Sequence, residues 1–121
     1  MAKSRAKPKA TLTIQIQEDS WTLKLWRKKS YDRKFGEDSD GITFASDKEI
    51  NFREDAFTLD LVSHELFHAY FKYLHLDSVT SPTVDGLEEI MASWIGLNLD
   101  KFHEKVHYSF NALIAAQENN S

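Results

Sequence analysis

The sequence predicts an α+β domain in which a short N-terminal antiparallel sheet is followed by three helices. Polar and apolar residues alternate over much of residues 11–27, and a two-residue period is that of a half-buried strand. From about Asp55 onwards, apolar residues recur at steps of three and four, as they do along one face of a helix. Strands that precede helices in this way are typical of the α+β class.

The first two strands are predicted to form a hairpin. The segments TLTIQIQ (11–17) and WTLKLWR (21–27) both alternate, and the polar residues 18–20 lie between them. A short polar loop between two alternating runs is a hairpin signal. The tryptophans are expected in the core rather than in a cleft, because large aromatic side chains are mostly buried; they are Trp21, Trp26 and Trp94.

Two shorter strands are predicted further along the chain. They are ITFAS (42–46) and KEINF (48–52), and a turn joins them. The stretch KKSYDRKFGEDSDG (28–41) is polar and contains Gly36 and Gly41. Glycine and polar clusters mark loops, so we expect a loop here.

Three helices are predicted after the strands. The first covers residues 55–74, with Asp55 or Thr58 as its cap. Pro82 interrupts any helical pattern in the connection that follows. The second helix is LEEIMASWIGLNL (87–99), and the third covers residues 100–116.

Length and charge indicate one domain with a basic tail. The chain has 121 residues, which is enough for a single core. Residues 1–10 carry four basic side chains and no acidic one, whereas the remaining 11 basic and 19 acidic residues give a net charge of −8. We expect residues 1–10 to be a flexible tail and residues 11–121 to be the domain. An acidic body is a poor surface for nucleic acid, so nucleic-acid binding through the tail is the weakest functional reading.

Composition also limits the site chemistry and the location of the protein. The chain has no cysteine, so metal ligands must come from histidine, aspartate or glutamate. The longest apolar segment, IMASWIGLNL, is about half the length that a bilayer requires. No apolar segment of a signal peptide follows the basic N-terminus. We therefore expect a cytoplasmic protein with no membrane partner.

The pentapeptide HELFH (64–68) has the spacing of a zinc site. Residues four apart on a helix lie one turn apart on the same face, so His64 and His68 can bind one cation. Zinc accepts neutral imidazole, and a catalytic zinc keeps one position for water. Glu65 is placed to take the proton of that water when it attacks a carbonyl carbon. The plainer reading is a helix that carries two exposed histidines and a surface carboxylate.

The predicted third ligand lies on the second helix. Asp85 precedes Glu88 by three residues, which is the spacing of a capping box with Asp85 as the N-cap. Glu88 then has a structural role. Glu89 points about 100° further round the helix and is available for the metal, with Glu88 as its competitor.

These residues resemble the gluzincin clan of HExxH zinc metallopeptidases. In that clan a glutamate on the helix after the HExxH helix is the third zinc ligand, often within E-x-x-A/S-N/D. Glu89 fits this pattern with Ala92 and Ser93, although Ser93 stands where asparagine or aspartate is common. Among gluzincins, the chain is similar over about residues 41–99 to the small ImmA/IrrE-type and phage-encoded proteins.

The resemblance implies a zinc-dependent peptidase of cytoplasmic proteins. It implies that Zn²⁺ is held by His64, His68 and Glu89, that Glu65 is the general base, and that a protein or peptide is the substrate. The alternative is a catalytically silent zinc-binding module that recognises a protein partner. No residue is assigned to stabilise the oxyanion; the candidates, each more simply read as helix surface, are His103, His107 and Tyr108, with His75 and Tyr31 as weaker ones.

Overall fold

The computed structural model describes residues 7–71, 73 and 84–119, and within 84–119 it leaves out the side chains of 84–87, 89–91 and 93–98. The α+β class is confirmed. The strands are β1 (Ala10–Ile16), β2 (Asp19–Trp26), β3 (Gly41–Phe44) and β4 (Glu49–Arg53), and the helices are α1 (Lys28–Phe35), α2 (Leu59–Phe71) and α3 (Val84–Asn119), with a 3₁₀ turn at Glu54–Ala56.

The predicted hairpin is confirmed, and the sheet begins slightly earlier than the sequence indicated. β1 and β2 are antiparallel, with Ile14 opposite Trp21. The backbone N–H of Lys9 donates to the carbonyl oxygen of Leu25 at 2.6 Å, and the Lys9 ammonium lies 3.0 Å from the Glu54 carboxylate. The end of the predicted tail is therefore attached to the sheet.

The sheet is mixed, so the prediction of a purely antiparallel sheet is wrong. The strand order is β1-β2-β4-β3. β1 pairs with β2 and β3 with β4 in antiparallel fashion, but β2 and β4 are parallel. A parallel pair needs a long crossover connection, and here residues 27–48 supply it. β3 consequently lies at the edge of the sheet.

The expected loop at residues 28–41 contains helix α1, so that prediction is also wrong. Tyr31 is fully buried. Its ring lies 4.9 Å from that of Phe35, and the Phe35 ring meets Trp26 edge-on at 5.8 Å. Tyr31 and Phe35, one turn apart, are the only apolar side chains of this helix. A period of 3.6 residues is therefore not visible in the sequence.

Arg53 links α1 and the following loop to β4. Its guanidinium lies 3.2 Å from Asp32, 2.8 Å from Asp40 and 2.6 Å from Asp55. The hydrogen bond from Lys28, and with it that from Arg53, lowers the pKa of the Asp32 carboxyl. This cluster holds the segment that leads into β3, which the candidate site uses.

Helix α2 packs against β3, β4 and α3, and α3 also packs against β1 and β2. The buried apolar residues of α2 belong to the same cluster as Leu23, Leu25, Ile50 and Phe52 of the sheet; they are Val62, Leu66, Ala69 and Tyr70. Trp21 and Trp26 are buried as predicted, whereas the side chain of Trp94 lies outside the described residues.

The second and third predicted helices form one continuous helix, α3. No proline lies between residues 84 and 119, and Gly96 is the only glycine after residue 86. A single glycine costs a helix only about 1 kcal/mol, so the chain continues through the expected break. α3 also begins one residue before Asp85, the predicted cap. Within the described residues, no helix is both long and apolar enough to cross a membrane.

Candidate metal centre

Helix α2 is fixed at its N-terminus by one of the two predicted caps. The backbone N–H of Leu61 donates to Thr58 Oγ1 at 3.1 Å, and that of Val62 donates to the Thr58 carbonyl oxygen at 3.0 Å. A threonine hydroxyl that accepts an N–H of the first turn is a helix N-cap. The cap defines the register in which His64, Glu65 and His68 follow.

The two imidazoles of HELFH converge. Nε2 of His64 and Nε2 of His68 lie 3.3 Å apart. The rings meet edge-on, with centroids 4.9 Å apart and an interplanar angle of 79°. Two nitrogens that bind one tetrahedral zinc ion at about 2.0–2.1 Å are themselves about 3.3–3.4 Å apart. The pair therefore has the spacing that such an ion requires.

Glu65 is held next to the imidazoles but is oriented by the sheet. Its side chain is only 7% exposed, against 67% for His64. The Thr43 hydroxyl donates to Glu65 Oε1 at 2.8 Å and lies 3.1 Å from the Glu65 carbonyl oxygen. The other carboxylate oxygen, Oε2, lies 3.8 Å from His64 Nε2. One oxygen is thus fixed by β3 and the other faces the histidine pair.

Gly41 allows α2 to approach β3 this closely. A Cβ atom on Gly41 would lie 3.0 Å from Glu65 Cγ, 3.2 Å from Leu61 Cδ1 and 3.3 Å from the Asn51 carbonyl oxygen. These separations are shorter than ordinary carbon contacts of about 3.5–4.0 Å. The absence of a side chain at Gly41 is therefore what brings Glu65 within reach of Thr43.

The three side chains line an open cavity of about 450 Å³. Its other wall comes from β3 and the turn after it, through Gly41, Ile42, Thr43 and Ala45. In the part of the chain that the structure describes, β3 pairs with β4 on one side and with no strand on the other. A free strand edge therefore borders the imidazoles.

The structure brings together three of the four predicted site residues. Ligand atoms of His64, Glu65 and His68 all lie within 4.8 Å of one another, and this is the one such group of three or more within the described residues. It can hold a metal ion. Glu88 is exposed on α3, whereas the side chain of Glu89 lies outside the described residues, so its role stays a prediction.

Glu89 can reach the histidine pair only if α3 is not a straight helix. α3 runs antiparallel to α2, because Phe67 contacts Phe102 and Phe57 contacts Phe110. Glu89 precedes Phe102 by 13 residues, which is about 20 Å along a straight helix. For Glu89 to reach His68, α3 must bend or break between the two positions.

The other candidates lie elsewhere. His103 and His107 line a separate cavity of about 240 Å³ between α2 and α3, and Tyr108 lines another. Tyr31 is in the core, where its hydroxyl is 2.9 Å from Ser39 Oγ and burial raises the pKa of its phenol. His75 and the side chain of Ser93 lie outside the described residues.

Sequence reasoning missed Gly41, Thr43 and a second HExxH pentapeptide. Gly41 was expected only to mark a loop, and Thr43 carries no signal of its own, since its role depends on which helix packs against it. The pentapeptide HEKVH (103–107) repeats the pattern of HELFH and was visible in the sequence. Comparisons with protein-family models, with curated proteins and with solved structures find no match.

Proposed function

We propose that the protein is a zinc-dependent metallopeptidase whose centre is His64, Glu65 and His68. The observation that carries the proposal is the 3.3 Å separation of the two Nε2 atoms, next to a carboxylate that is buried and hydrogen-bonded. Two imidazoles at this distance suit zinc, and an adjacent carboxylate suits a general base.

Each residue has a distinct part in the proposed reaction. Zinc held by His64 and His68 would supply an acidified water and a Lewis acid that polarises the carbonyl of a peptide bond. Glu65 takes a proton from the attacking water through Oε2 and later gives it to the leaving amine. Thr43 holds Oε1, so that the carboxylate keeps its orientation. The third ligand in this proposal is Glu89.

The edge of β3 supports a peptide as the substrate. A free strand edge offers a row of backbone N–H and C=O groups, which an extended peptide can pair with. Thr43 lies on this strand and contacts Glu65, so a peptide bound along β3 passes directly by the proposed base. The resemblance adds that such a substrate would be a cytoplasmic protein.

Glu65→Gln separates a peptidase from a silent zinc-binding module. The amide keeps the size of the side chain but cannot accept the proton of water. We expect the variant to bind zinc as the wild type does and to hydrolyse its substrates roughly 10²–10⁴-fold more slowly, which is the contribution of a general base. Each form is expressed in the same host, and new protein termini are counted by mass spectrometry.

Glu104→Gln is the matched control, because it removes an exposed carboxylate of the other HExxH pentapeptide. It should produce the same new termini as the wild type. Identical termini from the wild type and Glu65→Gln, with zinc bound to both, would instead favour the silent module.

A further inference from the structure

The second HExxH pentapeptide, residues 103–107 of α3, carries a histidine pair that the proposed reaction does not use. His103 and His107 are both exposed. Their rings are stacked, with centroids 4.4 Å apart and an interplanar angle of 15°. Because the residues are one turn apart, both imidazoles can turn towards one ion. Their exposure leaves room for that rotation.

The surroundings of this pair differ from those of the first. His103 and His107 line the cavity of about 240 Å³ between α2 and α3, and Asp60 and Ser63 of α2 line it too. Asp60 is exposed, and within the described residues its carboxylate does not form a ligand group with the two imidazoles. Phe102 and Val106 contribute the apolar part of the lining.

The glutamate of the second pentapeptide does not share this cavity. Glu104 lines a different cavity, together with Lys101, Lys105 and Tyr108. It is exposed, whereas Glu65 is buried and bonded to Thr43. Glu104 is therefore not held beside its histidine pair as Glu65 is.

We propose that His103 and His107 form a second site that binds a divalent transition-metal ion without hydrolysis. Two imidazoles suit copper, nickel and zinc, and a site of this kind follows the order in which Cu²⁺ binds more tightly than Ni²⁺ or Zn²⁺. The pair is not held in a convergent arrangement, so its rings must be ordered when the ion binds. The second site therefore binds zinc more weakly than the first.

The test uses the full chain in which His64→Ala and His68→Ala remove the first pair. Both histidines are exposed, so the fold is expected to persist, and circular dichroism checks this. Binding of Ni²⁺ and of Cu²⁺ is measured by equilibrium dialysis. We expect about one ion per chain and tighter binding of Cu²⁺. Adding His107→Ala should raise the dissociation constant by at least about tenfold, since one of two imidazole ligands is lost.

Two further substitutions in the same background define the site. Glu104→Gln, the matched control within the pentapeptide, and Asp60→Asn, across the cavity, should each leave Ni²⁺ binding within about twofold. Equal Ni²⁺ uptake with and without His107→Ala overturns the second site, and a several-fold loss in Asp60→Asn overturns its assignment to two imidazoles alone. Neither result bears on the first site, because its histidines are absent from every variant compared.

Discussion

The two HExxH pentapeptides of this chain have the same spacing but different geometry. In residues 64–68 the ring centroids are 4.9 Å apart, the rings meet edge-on, and their Nε2 atoms lie 3.3 Å apart. In residues 103–107 the ring centroids are 4.4 Å apart and the rings are stacked in parallel. Glu65 is buried and bonded to Thr43, whereas Glu104 is exposed and faces another cavity. Both pentapeptides lie within helices, so helix geometry alone does not separate them.

The difference comes from what packs against each helix. β3 lies against α2 and supplies a glycine that permits close approach and a hydroxyl that fixes the carboxylate. At residues 103–107, the cavity beside the histidines is lined by α2 and α3 alone. The spacing of HExxH therefore places the imidazoles on one face, and a neighbouring strand determines whether the glutamate shares their cavity.

The largest predicted effect is on zinc affinity, when one histidine is removed from each pair in turn. His68→Ala should weaken the tightest zinc site by at least about a thousandfold, since it removes one of the ligands that define a tetrahedral site. His107→Ala should leave that site unchanged. Zinc affinity is measured by competition with a chromogenic chelator. A tight site that survives His68→Ala but disappears with His107→Ala would reverse the assignment of the two pentapeptides.

The next largest effect concerns the third ligand of the first site. We expect Glu89→Ala to weaken zinc binding by about tenfold to a hundredfold, and Glu88→Ala to have little effect on it. Because α3 begins before Asp85, Glu88 is an exposed helix residue rather than part of a capping box, and Glu88→Ala should change the free energy of unfolding by no more than about 0.5 kcal/mol. The opposite ranking in the same chelator competition would make Glu88 the ligand.

The same pair of variants tests the path of α3. Because Glu89 is about 20 Å from Phe102 along a straight helix, its binding to zinc requires α3 to bend or break. If α3 breaks, the helical circular dichroism signal of the wild type should fall when zinc is added, and that of Glu89→Ala should not. Equal zinc affinities for the wild type and both variants would mean that neither glutamate binds the ion. Water would then occupy the remaining coordination positions.

The hairpin was predictable, because its alternation reflects burial on one face: Ile14 and Trp21 are buried as a two-residue period requires. β4 differs, because Ile50, Asn51 and Phe52 are all buried. The parallel pairing of β2 and β4 was not predictable from either strand alone, since it depends on the crossover connection through α1. α1 itself escaped notice because tertiary contacts of Tyr31 and Phe35, rather than a long apolar stripe, hold it in place.

The part of the candidate site that depends only on helix geometry was predictable. The spacing of His64, Glu65 and His68 indicated that they share one helix face, and the structure brings them together. The roles of Gly41 and Thr43 depend on a contact between elements about 20 residues apart in the chain, and no local pattern encodes such a contact. The third ligand depends on the packing of a helix whose side chains near Glu89 are not described.

Gly41→Ala tests whether close packing of β3 distinguishes the two pentapeptides. The added methyl group would meet Glu65 Cγ at 3.0 Å, and overpacking of this kind costs about 1–3 kcal/mol. We expect a lower free energy of unfolding in urea and weaker zinc binding at the first site only. Gly36→Ala is the matched control. Gly36 has a φ of 93° and no atom within 4 Å of a built Cβ, so that variant should lose stability through backbone strain and keep its zinc affinity.

The smallest predicted effect belongs to Thr43→Val, which removes only the hydroxyl that orients Glu65. Valine keeps the branched shape of threonine, so the packing of β3 against α2 should persist. Glu65 Oε1 loses a hydrogen bond that lies in a partly buried position, and such a loss costs about 1 kcal/mol of the free energy of unfolding.

Zinc affinity should stay within about threefold, because Thr43 contacts neither imidazole. If the proposed function holds, hydrolysis should fall by more than that, since the carboxylate proposed as the general base is no longer fixed. Thr43→Ser restores the hydroxyl and should recover the wild-type rate. A Thr43→Val variant that matches the wild type in both stability and hydrolysis would show that Thr43 does not position Glu65, and the contrast with Glu104 would then rest on burial alone.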